Sequence, residues 1–195
     1  MRLWTIQTDK AYRSLITNGQ LFADPAHCDA DFAQPYKWML DQMKRRLRCR
    51  RTTPDAALWA WSRWDPPTRN RPDLRARGHL ASGRSGFRIE LDVHVGDVLL
   101  SDFNLWHYVL NYWYLPTSER DANQFDSKHD PLKYDWNRLP SPGLHDLIVQ
   151  SWDRIFDFDW CDDYVTGPQL ERPVQGTLWR IDRSMVLNAR GFVSR

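Results

Sequence analysis

Three groupings of side chains in this 195-residue sequence have types and spacings that can do chemistry. The first centres on His107 in SDFNLWHYVLNYWYL, with Asp102 five residues before it and Asn111 four residues after. On a helix Asn111 shares the face of His107. A histidine there can serve as a general base or as a donor to a ribose or phosphate; it can equally be a core histidine bonded to a backbone carbonyl. The second grouping is the tryptophans, 11 in all. Trp4, Trp59, Trp61, Trp106 and Trp179 fall on elements expected to lie side by side, where rings pack a core or stack on a flat base or nicotinamide. The third is KRRLRCRR, in which Lys44, Arg45, Arg46, Arg48, Arg50 and Arg51 directly precede the strand-like WAWSRW. Cations beside rings suit a nucleic acid, and a solvated helix C-terminus has the same composition.

Other chemistries lack their motifs. The six histidines are scattered, and no HxH, HExxH or CxxC spacing occurs, so no metal is expected. There is no GxSxG elbow and no GxGxxG, and GRSG in the basic loop lacks the Lys-Ser/Thr of a phosphate loop. Glutamate is scarce, with Glu90, Glu119 and Glu171 alone, and Glu90 falls on the polar side of its strand.

The elements that must position these groups follow from periodicity. LWTIQ (residues 3–7) predicts a strand, and Thr8 or Asp9 caps a helix with Ala11, Tyr12, Leu15 and Ile16 on one stripe, stopped at Asn18-Gly19. Asp31 and Gln34 have capping-box spacing ahead of a helix carrying Tyr36, Met39, Leu40, Met43 and Leu47. Strands are expected at 57–64, 87–93, 98–100 and 174–181, with a short one at 192–193. Ser101 or Asp102 caps a third helix with Phe103, Trp106, Val109, Leu110 and Trp113 inward, and Ser141-Pro142 opens a fourth. Residues 117–139 look polar and irregular. The sum is an α+β fold: one domain, a mixed twisted sheet with helices against it, and a mobile basic surface loop at 65–86 inserted in it.

Composition bounds the class. A chain that is 42% hydrophobic and 27% charged is not a mainly disordered one, and no apolar run is long enough to span a membrane. The first residues lack the h-region of a signal peptide, and three cysteines with no ligand spacing fit reduced thiols, so a cytoplasmic setting is expected. The net charge of +2 hides a segregation: residues 44–88 hold 13 Lys/Arg against three acids, and residues 90–171 hold 16 acids against five bases. The two blocks can neutralise each other or leave a basic face for a polyanion.

Read in order, LWTIQ, NGQL, YKWMLDQM, LWAW, VLLSDFNLWHYVLNYWYLP, SWDRIFDF and VQGTLWRI resemble the bacterial family catalogued as domain of unknown function 3841, from Leu3 to Phe192. The resemblance implies bacterial origin and a compact domain, and brings no activity. The order of elements is also similar to parts of the ADP-ribosyltransferase superfamily. That likeness implies Thr5 or Gln7 facing a nicotinamide ribose, the Trp59/Trp61 strand walling the ring, and a late-strand glutamate stabilising a ribosyl cation. Here the late strand has Gln175-Gly176-Thr177, with Glu171 only upstream.

The expected site is one pocket of Trp4, Gln7, Trp59, Trp61, Asp102, Trp106, His107, Asn111 and Gln175. The expected function is an NAD- or nucleotide-handling enzyme, possible as a toxin, with Gln7 and His107 orienting the ribose and Glu171 or Asp102 stabilising the cation. The alternatives are a nucleic-acid-binding module on the basic-aromatic surface, or a component that binds a protein partner.

Overall fold

A computed structural model describes residues 1–47 and 54–195. Its frame is a six-stranded sheet of β1 (Arg2–Thr8), β3 (Leu58–Arg63), β4 (Ser85–Asp92), β5 (Val98–Asp102), β6 (Val174–Leu178) and β8 (Val186–Val193), in the order β5-β6-β3-β1-β4-β8. A small ribbon pairs β2 (Gln20–Leu21) with β7 (Ile181–Asp182). The fold class is α+β, as the sequence implies. Every pair in the large sheet is antiparallel, where a mixed sheet was expected. Helical connections of this length can return a strand in either sense, so helix content alone does not decide strand direction.

Each sheet face has its own core. On one face Leu3, Leu58, Ala60, Ile89, Leu91, Val98 and Leu178 pack with Leu15 of α1 (Asp9–Asn18) and with Leu21 and Ile181 of the ribbon. On the other, Leu99 packs with Trp38, Met39 and Met43 of α2 (Ala33–Arg46), with Leu105, Trp106 and Val109 of α3 (Phe103–Leu110), and with Ile148 of α5 (Pro142–Ser151), Trp152 and Ile155. No helix of the described residues is long and apolar enough to cross a membrane.

Local chemistry explains the element ends. The Thr8 side chain accepts from Ala11 N, and Gly19 at φ 79° closes α1 through a bond to Leu15 O. The capping box expected at Asp31 is absent. Asp29 instead heads a 3-10 turn, Ala30–Phe32, that runs into α2 with no side-chain cap. The N-cap position falls to Phe32, whose ring has no acceptor to offer, and Pro35 third in α2 has no N–H to give. A helix α4 (Glu119–Asp126), capped by Ser118, lies in the segment that looked irregular; with Phe125 its one buried residue, it has almost no apolar stripe to detect.

The third helix ends earlier than its apolar pattern suggests. Tyr112 takes φ 58°, Trp113 N bonds Tyr108 O and Tyr112 N bonds Val109 O, a left-handed termination with tyrosine where glycine is usual. Trp113 is therefore 42% exposed instead of inward. Tyr112 itself is 1% exposed, stacks on His145, and its hydroxyl sits 2.5 Å from His145 Nδ1. Burial pushes its phenol up from 10.0 to about 12. The native state thus favours the neutral phenol more than the unfolded chain does, and its contribution is complete below pH 10.0 and lost as pH rises through about 12. Tyr112→Phe is expected to flatten that alkaline limb in unfolding curves measured from pH 9 upward; an unchanged limb would assign the loss to other groups.

The basic segment after β3 packs on the sheet, where it was expected to stand clear of it. Asp65 and Arg69 exchange backbone bonds at 2.8 Å, and Arg69 and Arg75 both engage Asp73. Arg88 Nη1 donates to Pro72 O at 2.6 Å, and Ser194 Oγ donates to Leu80 O at 2.8 Å. With 13 Lys/Arg to three acids in residues 44–88, Asp73 is the anion around which this segment folds.

Candidate functional site

Strand register assembles a continuous row across all six strands on the face that carries α3: Ser101, Gln175, Trp61, Trp4, Glu90 and Asn188, each opposite the next. Neighbours in such a row stand roughly 5 Å apart, so their side chains form one surface. The adjoining row on the same face includes Ile6, Arg88 and Arg190 on one side and Trp59, Thr177 and Leu99 on the other.

The middle of this face lies between two walls. Phe103, the first residue of α3, meets Trp61 edge-on with ring centroids 4.9 Å apart. On the far side Arg88 reaches the Pro72 carbonyl, and His79 sits against Trp64 and Phe192, which places the basic loop over that end. Trp4, Ile6 and Trp61 between them are half-buried and form an open aromatic floor.

Two features distinguish the floor. Ser101 Oγ and the Gln175 carbonyl Oε1, at adjacent positions of the row, are buried with no hydrogen-bond partner. Ser101 is 0% and Gln175 9% exposed, and each unmatched polar atom costs about 1–3 kcal/mol. One side of the floor is also flanked by two facing cations. Arg88 directly opposes Arg190, and burial, then Arg71 and Arg190, push its guanidinium below the usual range, with Asp73 and Glu90 offsetting in part. Off the row, past a bulge in β3, Arg63 pairs with Val174, and burial and Arg172 lower its guanidinium, with Asp102 offsetting. Among the described residues Arg71, Arg88, Arg190 and Arg63 make no salt bridge.

The structure divides the residues expected in one pocket. Trp4, Trp61 and Gln175 are brought together as consecutive members of the row. Trp59 adjoins them, with its ring 5.4 Å from Trp106 and 6.0 Å from Tyr36, so Trp59 and Trp106 edge the site as part of the second core. Thr5 and Gln7 fall on the opposite face, because side chains alternate along β1. There Thr5 Oγ donates to Trp59 O at 2.7 Å, and Gln7 Nε2 donates to Thr5 Oγ at 2.8 Å. Neither reaches the floor, which corrects the role expected for Gln7.

Asp102 is engaged structurally. Its carboxylate accepts Arg172 Nε at 2.5 Å and Leu105 N at 3.0 Å, with both charged side chains 1% exposed. Glu171 is exposed on the 3-10 turn Gln169–Glu171, off the row. His107 is exposed, with Nδ1 3.0 Å from Phe103 O, and its ring lies 4.9 Å from Phe103. It stands one ring away from Trp61, at the rim. Asn111 Nδ2 donates to His107 O at 2.8 Å and finishes the helix rather than lining the floor.

Of the basic block, Lys44 pairs with Asp41 at 3.1 Å, Arg46 pairs with Asp153 at 2.9 Å and lies 4.4 Å over the Phe156 ring, and Arg45 is exposed. Arg48, Arg50 and Arg51 lie outside the described residues. No cluster of three His, Cys, Asp or Glu among the described residues could hold a metal ion.

Ser101, Glu90, Arg88 and Arg190 belong to the site although nothing in their local sequence pointed to it. The alternation of β4 puts Arg88 and Glu90 on one side, but only the pairing of β4 with β1 shows that this side is the floor.

These features define an α+β protein built on one antiparallel sheet, with an aromatic and arginine-flanked row crossing its centre. The chain belongs to the family described as Domain of unknown function (DUF3841), which it matches over residues 2–187. No curated protein and no solved structure matches it.

Proposed function

We propose that this protein binds a nucleotide of the NAD type on the Trp4–Trp61 floor. The observation that carries the reading is the row itself: two tryptophans directly beside two buried, unpartnered polar groups. A planar ring stacks on Trp61 and Trp4. In this proposal the Trp61 ring swings aside on binding to uncover the Ser101 hydroxyl as a donor and Gln175 Oε1 as an acceptor, the complement of a carboxamide or a purine edge. Phosphates lie toward Arg88 and Arg190, whose like charges oppose each other across the sheet until an anion joins them.

A transferase reading asks more of the site. A ribosyl cation needs a nearby negative charge. Gln175 is neutral, Asp102 is occupied by Arg172, and Glu171 lies off the row. Glu90 is the carboxylate of the row, and it sits 3.3 Å from Arg2. In this proposal any group transfer therefore runs through Glu90, with His107 at the rim.

Calorimetry with NAD and with ADP-ribose tests binding, and Gln175→Leu discriminates a ligand role from a structural one. An unmatched buried acceptor replaced by an apolar group of similar shape should raise stability slightly while weakening NAD binding by about tenfold. No binding of either nucleotide at millimolar concentration would overturn the proposal. The same arginines and rings also suit single-stranded nucleic acid. That second reading predicts affinity falling steeply with salt, and charge reversal at Arg88 or Arg190 acting equally on all sequences.

A further inference from the structure

A cavity of about 220 Å³ lies away from the row, between the end of α3 and helix α4. Five of its ten lining residues are rings, Tyr108, Trp113, Tyr114, Phe125 and Tyr164, and the rest are apolar save Asp126. Tyr114 stacks on Phe125 at 4.2 Å, and Tyr108 meets Trp113 edge-on at 6.1 Å. Trp113 at 42% and Tyr164 at 60% exposure form the open rim, so the cavity is entered from solvent. Its lining contains no cationic side chain.

The geometry points to a site for one cationic side chain, a guanidinium or alkylammonium group presented by a basic peptide. Size argues first. The cavity is below the range of roughly 300–1,000 Å³ that holds a whole cofactor or drug-sized ligand, and suits a single side chain. Ring chemistry argues second. Aromatic faces attract a cation by their quadrupole, and the effect grows as the cation leaves water. Tyr114 donates its hydroxyl to Asp121 at 3.0 Å, which makes its ring a richer π-donor. Burial, then the Tyr164 hydroxyl, push the Tyr108 phenol above the usual range, so it stays neutral. Charge argues third. Asp126 lines the cavity and Asp121, which holds Tyr114, adds a second carboxylate beside it, set against the one guanidinium of Arg154 that also reaches Tyr114. The site shares no residue with the row, so it stands whether or not nucleotides bind there.

The test uses the full chain with ¹⁵N-labelled indoles, the Trp113 signal assigned by Trp113→Phe. The probes are acetyl-arginine amide and acetyl-lysine amide, with acetyl-citrulline amide as the neutral isostere. The Trp113 indole should shift saturably with arginine or lysine and stay unmoved by citrulline. Asp126→Asn, on an exposed position of α4, should weaken binding by about tenfold with an unchanged Tm. Equal binding of citrulline, or no saturable shift with any probe, would overturn the proposal. NAD added to the same sample should leave the Trp113 signal in place, and a shift there would assign the cavity to the nucleotide instead.

Discussion

Asp102→Ala is expected to lower the stability of the native state by about 3–5 kcal/mol, read as a shift of the denaturant midpoint at constant slope. The carboxylate does two things. One oxygen caps α3 at Leu105 N, and the other holds Arg172 at 2.5 Å. Arg172 is anchored further by Trp160 O at 2.9 Å and lies 5.6 Å from the Phe158 ring, so it cannot swing to water without dismantling the 157–160 segment. Removal of Asp102 leaves a buried guanidinium with no counter-charge and with Arg63 close enough to feel it. The double variant Asp102→Ala, Arg172→Met removes both charges and should recover much of the loss, with the missing cap still costing about 1 kcal/mol. A single-variant cost under about 1 kcal/mol would show that the pair is not the anchor its burial indicates.

Trp61→Ala should have the largest effect on the proposed nucleotide site. Its ring stands between Gln175 and Trp4 in the row and touches Phe103, so truncation removes the stacking surface and opens the buried polar pair to water. Stacking of one base on one ring contributes about 1–3 kcal/mol, a loss of roughly 5- to 150-fold in affinity. Half-buried Trp61 lies outside the two cores, so melting should change far less than binding. Equal losses in the two measurements would make Trp61 a packing residue, and calorimetry with NAD beside thermal unfolding separates the cases.

Much of the fold was legible where one short-range signal sufficed. Thr8 and Gly19 bracket α1, and Asp102 caps α3, because caps are decided within four residues. Strand β8 was legible only at its last two residues; as an edge strand with mostly exposed side chains it carries no apolar alternation. The site was legible by composition and not by geometry. Trp4, Trp61 and Gln175 drew notice as polar or aromatic exceptions, and so did Gln7, which alternation puts on the other side of β1. Without the register there is no way to know that residues 4, 61, 90, 101, 175 and 188 are neighbours.

The strand order has a consequence for how this molecule is made. The floor joins β1 and β3 from the first third of the chain to β6 near its end, and β6 contributes Gln175. Closing such distant segments is slow, and sheets built on them rank among the late-forming topologies. Until β6 has emerged and paired, β3 stands as an unprotected edge and the floor is incomplete. Any ligand of the floor would bind only after β6 has paired and would favour completion of the sheet over association of its open edges.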